Sequence, residues 1–275
     1  MKSRIWLMRA IVFCTLGGAW PALAATYYIN DTNGVGDVYT SATGNDANSG
    51  TATNAPKATL TNLFATTTLL PNDVVYIDTG SYAPVTIPSS VTGAPGSAIV
   101  FQGSTNYAAG GSTFGGAGAI LTVSGRYLSF YDLRAVGGAQ GVKLTGTAAY
   151  CELERIWCVT NLNVGVWLNS AKSNAFRRCV LSSLIFSSIY SDGTAAANYF
   201  ENSILLSSGA GALQVGVSAV SNITGCIMVG RQGIFQNGNE QGTRNIFYPS
   251  GAFHPTHETL AEFQRNNPNW SGNTV

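Results

Sequence analysis

Lys143, Trp167, Tyr190, Gln214 and Phe235 recur at nearly regular spacing and combine the side-chain types that a polymer-binding surface uses. Aromatic faces pack against the apolar faces of pyranose rings, while an ammonium and an amide address carboxylates or hydroxyls. Lys143 also raises a catalytic reading. β-Elimination on a uronic acid needs a base at the C5 proton and a cation to neutralise the carboxylate. A lysine can be that base where burial or a neighbouring cation disfavours its charge. Arg126 and Arg231 are the arginines that would approach as the neutralising cation. The opposing reading makes these aromatics packing beneath a covering loop, with Lys143 a solvated residue against Trp167. The sequence leaves both open.

A second set holds Glu154, Arg177 and Glu201, flanked by Ser129 and Thr224, with Arg155, Arg178 and Asn202 beside it. Two carboxylates roughly 6.5–9.5 Å apart suit an inverting glycosidase. The intervening arginine favours a ladder of cross-strand ion pairs instead. Nearer the start, Asp31, Asp37 and Asp46, with Asn33 and Asn48, offer oxygens to Ca2+. Their spacing departs from an EF-hand, and Asx-turns around glycine account for the same residues without metal. His254, His257 and Glu258 form an isolated H-x-x-H with too few supporting ligands for a metal centre.

The spacing itself identifies the elements that carry these residues. One ladder runs Leu128, Leu153, Phe176, Phe200, Ile223, in steps of 25, 23, 24 and 23. Another runs Val142, Val166, Ile189, Leu213, Ile234, in steps of 24, 23, 24 and 21. Each rung opens a short alternating run bounded by Gly, Asn and Ser, and helical periodicity is missing. Such a repeat predicts a solenoid, specifically an all-β, right-handed parallel β-helix with like residues stacked at roughly 4.8 Å. The central residue of each second-ladder strand then points outward, which assembles Lys143, Trp167, Tyr190, Gln214 and Phe235 into one column.

Residues 1–24 read as an export signal: Lys2, Arg4 and Arg9 precede an apolar core, and Ala22-Leu23-Ala24 supplies the cleavage site. Secretion and cleavage after Ala24 follow as expectations. Removing those three cations from the 14 basic residues leaves 11 against 13 acidic ones, which argues against nucleic acid and anionic membranes as partners. No later segment is apolar enough to anchor in a bilayer. Residues 25–71 form an entry strand, a loop and a helix starting at Asn54–Pro56 and running to about Thr67, which would cover the open end of the solenoid. Coils occupy residues 72–250, with a Gly-rich excursion at 103–119. Residues 251–275 contain a short helix from His254 to Asn266, which either folds back as the cap or is an incomplete cap of a longer, truncated protein, the second being the favoured reading. The expected assembly is a monomer or part of a longer surface protein.

Cys151, Cys158, Cys179 and Cys226 follow the signal. Cys179 and Cys226 share a coil position two coils apart, roughly 9–10 Å, beyond disulfide reach. Free, buried thiols are the favoured reading, with one bridge through Cys151 or Cys158 as the alternative.

The segments YYINDTNG at 27–34, GNDANSGT at 44–51, APKATL at 55–60 and NDVVYIDTGSY at 72–82 occur in an order that resembles the N-terminal module of bacterial secreted right-handed β-helix proteins of pectate-lyase-like fold. Asn72 stands where that group usually has glycine. The resemblance covers most of residues 27–250 and implies the architecture, but no single activity: members include polysaccharide lyases, glycoside hydrolases and surface proteins. In the polygalacturonase branch, catalytic aspartates precede the strands that match those of the second ladder. The positions here are Gln140, Val164, Ser187, Gly211 and Gln232, none acidic. The Asp cluster of the calcium-dependent pectate lyases is missing from these coils too. The functional expectation is engagement of an extracellular polysaccharide, with lyase-type cleavage more in keeping than hydrolysis. The alternative is a non-catalytic cell-surface, stalk or adhesin module.

Overall fold

Every strand in the three sheets pairs in parallel with the strand one coil away, so the chain climbs while it circles. The computed structural model describes residues 23–275, apart from 193, 210, 216–220, 231, 237–240, 250–258, 267–271 and 275. Residues 1–22, most of the stretch expected to be an export signal, and His254, His257, Glu258 and Arg231 therefore lie outside the described residues. Sheet A has nine strands, from Thr26–Ile29 to Gln241–Thr243; sheet B has eight, from Gly80–Tyr82 to Ile246–Pro249; sheet C has seven, from Val85–Ile87 to Gln232–Gln236. One coil visits them in the order A, B, C, as in Glu152–Glu154, Trp157–Val159 and Val164–Asn169. This is a parallel β-helix.

Strand alternation sends one set of side chains into the core, where coil stacking lines up like with like. Sheet A contributes Val75, Phe101, Phe130, Leu153, Phe176, Phe200 and Ile223 in register. The rings of Phe101 and Phe130 stack at 4.9 Å and those of Phe176 and Phe200 at 4.7 Å. Offset aromatic pairs of this kind add about 0.5–1.5 kcal/mol each beyond burial. The first ladder therefore continues through Phe130, whereas Leu128 pairs with Ile99. Sheet C keeps the second ladder as expected and extends it back through Leu121 to Val85.

The corner from sheet A to sheet B is built the same way six times. Asp132, Arg155, Arg178, Asn202, Gly225 and Arg244 all adopt φ between 50° and 65°. One left-handed residue turns the chain, and its N–H bonds to the next coil, as Arg155 N does to Arg177 O at 3.0 Å. Gly225 belongs here for a local reason, since a Cβ would meet Asn202 Oδ1 at 2.5 Å. Just inside this corner Cys179, Ser203, Cys226, Asn245 and Asn273 are all buried. Cys179 N donates to Ser203 Oγ at 3.1 Å, and Cys226 N to Asn245 Oδ1 at 2.9 Å. All four described cysteines are free and buried, and burial pushes the thiols of Cys151 and Cys226 up to about 11. They serve as small core residues.

Several expectations need correction. The first helix, α1, spans Leu60–Thr66, four residues later than Pro56, because Thr59 is the cap and accepts from Asn62 N. Lys57 instead bridges to Ile29 as extended chain. α1 buries Leu60 and Leu63, and Phe64 meets Phe101 edge-on at 6.1 Å. The Gly-rich segment at 103–119 is no excursion: it forms a short 3-10 turn at Tyr107–Ala109 and the sheet B strand Ser112–Gly115. The last helix, α2, is shorter than expected, at Leu260–Asn266. The chain then returns to the solenoid, where Thr274 bridges Ile246 and Asn273 Oδ1 accepts Asn245 N at 2.8 Å.

Candidate functional site

Sheet C stacks Thr86, Thr122, Lys143, Trp167, Tyr190 and Gln214 in one register row. The strands around them alternate, so Val142, Val166 and Ile189 go inward and the row between Thr122 and Tyr190 stands half-buried on the outer face. Phe235 is not in the row: the register shifts between Leu213 and Gln214, and Gln214 pairs with Gln236. A one-residue irregularity suffices to move a side chain off a column.

Lys143 places its Nζ 4.2 Å from the centroid of the Trp167 ring. Trp167 Nε1 donates to Asp192 Oδ2 at 3.1 Å, so the indole sits between an ammonium over its face and a carboxylate at its edge. Tyr190 follows at 6.1 Å, tilted by 45°, and Phe186 meets Tyr190 at 5.6 Å. Gln140, Asn163, Val164, Trp167, Ile185, Phe186 and Tyr190 line an open cavity of about 340 Å³. Its lining combines aromatic and aliphatic surface with two amides and no formal charge, which is suited to a sugar ring and its hydroxyls. Residues 103–119, which could have covered this row, lie against sheet B, where Tyr107 stacks on Trp157 at 5.9 Å. Asp192 and Phe186 were not singled out from sequence. Asp192 follows Tyr190 by two residues on the same strand, so period-two alternation already puts it on the same face.

Of the two candidate cations, Arg126 is not assembled with Lys143, and Arg231 lies outside the described residues. Arg126 lies at the corner after sheet C, its guanidinium carbon 5.6 Å from the Tyr150 ring, and lines a separate groove with Lys172. The positions Gln140, Val164 and Ser187 are in mutual register, so no acidic residue stands there in space either.

The acidic column of sheet A is an ion-pair ladder. Arg177 Nε meets Glu201 at 2.9 Å and its Nη1 meets Glu152, while Glu154 pairs with both Arg155 and Arg178. Tyr131, rather than Ser129, is the neighbour of Glu154. Arg155 also grips Asp132 with two bonds, at 2.6 and 2.7 Å. Burial alone would raise the Asp132 carboxyl, but bonds from Arg155, Tyr107 and Gln102 outweigh it and hold it below the usual carboxylate range. Arginines thus hold both carboxylates of the would-be catalytic pair, Glu154 and Glu201.

Asp31, Asp37 and Asp46 do not gather at a calcium site. Asp31 accepts from Asn33 N and Ser81 N, and Asp46 from Ala58 N, Thr59 N and Thr59 Oγ1. Asp37 takes the Asn30 amide at 2.7 Å; burial raises its carboxyl, reinforced by the charges of Asp78 and Asp31. Asp78, fully buried, accepts from the N–H groups of Val38, Tyr39 and Thr40 and fixes the loop. Among the described residues no three His, Cys, Asp or Glu side chains are grouped to hold a metal. The donor set does not fit Ca2+: Asp31 and Asp46 already organise backbone, and Asp37 is taken up by the Asn30 amide and the Thr40 hydroxyl.

No protein-family model matches the chain, and no curated protein matches it. Solved structures do. A pectate lyase, Pel9A, superposes with a TM-score of 0.59 at 16% identity, covering 87% of this chain and 74% of that one. An alginate lyase from Paenibacillus sp. str. FPU-7 gives 0.51 at 16% identity, covering 66% of this chain and 71% of that one. At such identities the likeness concerns the fold, which is that of the pectate-lyase-like β-helices. Among the described residues no helix is long and apolar enough to cross a membrane.

Proposed function

We propose that this pectate-lyase-like β-helix is an exported protein that binds an extracellular polysaccharide along the outer face of sheet C. The observation that carries the reading is the row of Trp167 and Tyr190, half-buried rather than covered, beside a 340 Å³ cavity of uncharged lining. Coil stacking sets the two rings 6.1 Å apart, so successive sugar units would meet successive rings as the polymer runs along the solenoid axis. Lys143 at one end of the aromatic pair would meet a carboxylate or sulfate of an acidic chain. A pectate lyase and an alginate lyase share the fold, which supports a polysaccharide as ligand class. Export rests on the basic, apolar and A-x-A pattern of residues 1–24.

Cleavage is the second reading, favoured by one observation: a lysine stands on the same row as the aromatic floor. β-Elimination would need a cation for the sugar carboxylate as well, and Arg126 faces another groove. Binding without chemistry is therefore the leading reading, and it agrees with a cell-surface or stalk role.

Calorimetric titration of the protein with a panel of neutral and acidic polysaccharides tests both. Binding that falls at least about tenfold in Trp167→Ala and in Tyr190→Ala supports the groove. Unimpaired binding in both variants removes it. Ultraviolet absorbance of the same mixtures reads the chemistry: unsaturated uronate ends that vanish in Lys143→Ala would establish a lyase.

A further inference from the structure

Four successive strands of sheet B present an outer face without a single charge. Their outward residues are Val180 and Ser182, Ile204 and Leu206, Ile227 and Val229, and Ile246 and Tyr248, in unbroken register. Trp157 continues the first row, and Tyr107 stacks on it with the ring planes 10° apart. Tyr107, Trp157, Ile204, Ile227, Val229, Ile246 and Tyr248 are each between 36% and 56% exposed. Sheet A, in the same coils, carries Glu152, Glu154, Arg177 and Glu201 and their ion pairs. The solenoid thus has the means to keep an outer face polar and does not use it on sheet B.

We propose that this face joins two copies of the chain, sheet B against sheet B. At the exposures above, the seven side chains leave roughly 600 Å² uncovered, the upper limit for the largest apolar patch of an ordinary monomer. Val180 and Leu206 and the rim bring each copy near the ~800 Å² that a standard interface takes from one partner. A two-fold contact places a surface on itself, which a face of one charge sign opposes and a neutral apolar face permits. The rows are ridges at coil spacing, about 4.8 Å, so two such sheets can interdigitate at the ~10 Å separation of packed sheets. Arg134, whose guanidinium carbon lies 5.8 Å from the Trp157 ring, marks the polar limit of the patch. The sequence pattern alone suggested a monomer or part of a longer surface protein. Sheet C lies on another side of the coil and stays available to a polysaccharide.

Sedimentation velocity of the full chain over a hundredfold concentration range is the test. The expected result is a reversible monomer–dimer equilibrium, and Ile204→Glu combined with Ile227→Glu should raise its dissociation constant by about 100-fold or more. Both positions are already solvent-accessible, and circular dichroism confirms that the variant is folded. Independently, Ile227→Glu mixed with Ile227→Lys should associate more tightly than either alone, as the two interface faces then carry opposite rather than like charge. A monomer throughout, including one that instead co-floats with phosphatidylcholine vesicles, overturns the proposal. So does a dimer that survives the double substitution, or a charge-paired mixture that stays monomeric.

Discussion

The ammonium of Lys143 lies 4.2 Å from the centre of the Trp167 ring, one coil away on the same outward row. Parallel, in-register stacking produces this contact: neighbouring coils bring successive outward side chains face to face. Trp167 is held a second time through Nε1 by Asp192. A ring fixed at face and edge loses little freedom on binding a sugar, which favours affinity over adaptability.

Lys143→Met separates charge from packing. The methionine keeps an unbranched chain over Trp167, so binding of neutral polysaccharides should change less than about twofold. Binding of acidic polysaccharides should fall about 3- to 10-fold and lose its salt dependence, the scale expected of one partly exposed cation. Calorimetric titration at two ionic strengths measures both.

Asp132 contributes to the acid limb of stability. Its folded carboxyl titrates below the unfolded value of about 3.9, so its contribution is present above about pH 5. That contribution is lost as the pH falls through the unfolded value and on through the folded one, where the unfolded chain binds the extra proton. Asp132→Asn should cost about 1–3 kcal/mol at neutral pH, less than a fully buried pair because Arg155 is 38% exposed. The variant should also flatten the slope of urea midpoint against pH between about 3 and 5.

Asn245 joins three partners at the A–B corner: its side chain binds the backbone groups Cys226 N and Ile223 O, and its own N–H donates to the Asn273 side-chain Oδ1. Asn245→Ala strips the side-chain bonds and leaves a buried donor and acceptor unmatched. A loss of about 1–3 kcal/mol is expected in chemical denaturation. Asn245→Asp should not rescue it, since a carboxylate cannot donate to Ile223 O.

Chelation should leave the protein unchanged. Because Asp31, Asp46 and Asp78 hold backbone N–H groups, the N-terminal loop is ordered by its own carboxylates. Melting temperatures in excess chelator and in millimolar calcium should agree within about 1 °C, against the upward shift that binding to the native state would give.

Much of this fold was legible because strand alternation and coil stacking are short-range rules applied repeatedly. Val142, Val166, Ile189 and Leu213 keep their register, and the outward row from Lys143 to Tyr190 follows from it. Phe235 was placed wrongly because one irregularity after Leu213 resets the alternation, and spacing alone does not record it. Leu128 was preferred to Phe130 as the first rung because both begin apolar pairs, and only the pairing with Ile99 decides. Arg177 was expected against Glu154; its actual partner on that side is Glu152, two residues along the same face, within reach of a long side chain. Asp46 capping Thr59 across 13 residues depends on how a loop closes, which no periodicity encodes. The neutral face of sheet B needed the third sheet, whose strands carry no ladder conspicuous in the sequence.

The six left-handed residues of the A–B corner follow their inward sheet A residues at a constant interval of two, from Phe130 and Asp132 to Gly242 and Arg244. The other two corners vary: Cys158 precedes Val166 by eight residues, but Met228 precedes Ile234 by six. From Phe130 onward, variation in length therefore falls along two edges of the prism, while the third keeps a fixed interval and acts as a spine. One coil earlier that same edge carries the Tyr107–Ala109 turn, with Phe101 preceding Phe114 by 13 residues. Segments grafted between sheets B and C, or between C and A, would be displayed beside the groove at a pitch the spine dictates. A single residue inserted at a left-handed corner such as Arg155 would displace the N–H that bonds to the next coil, whereas the longer Tyr107–Ala109 detour is accommodated one coil before these corners begin.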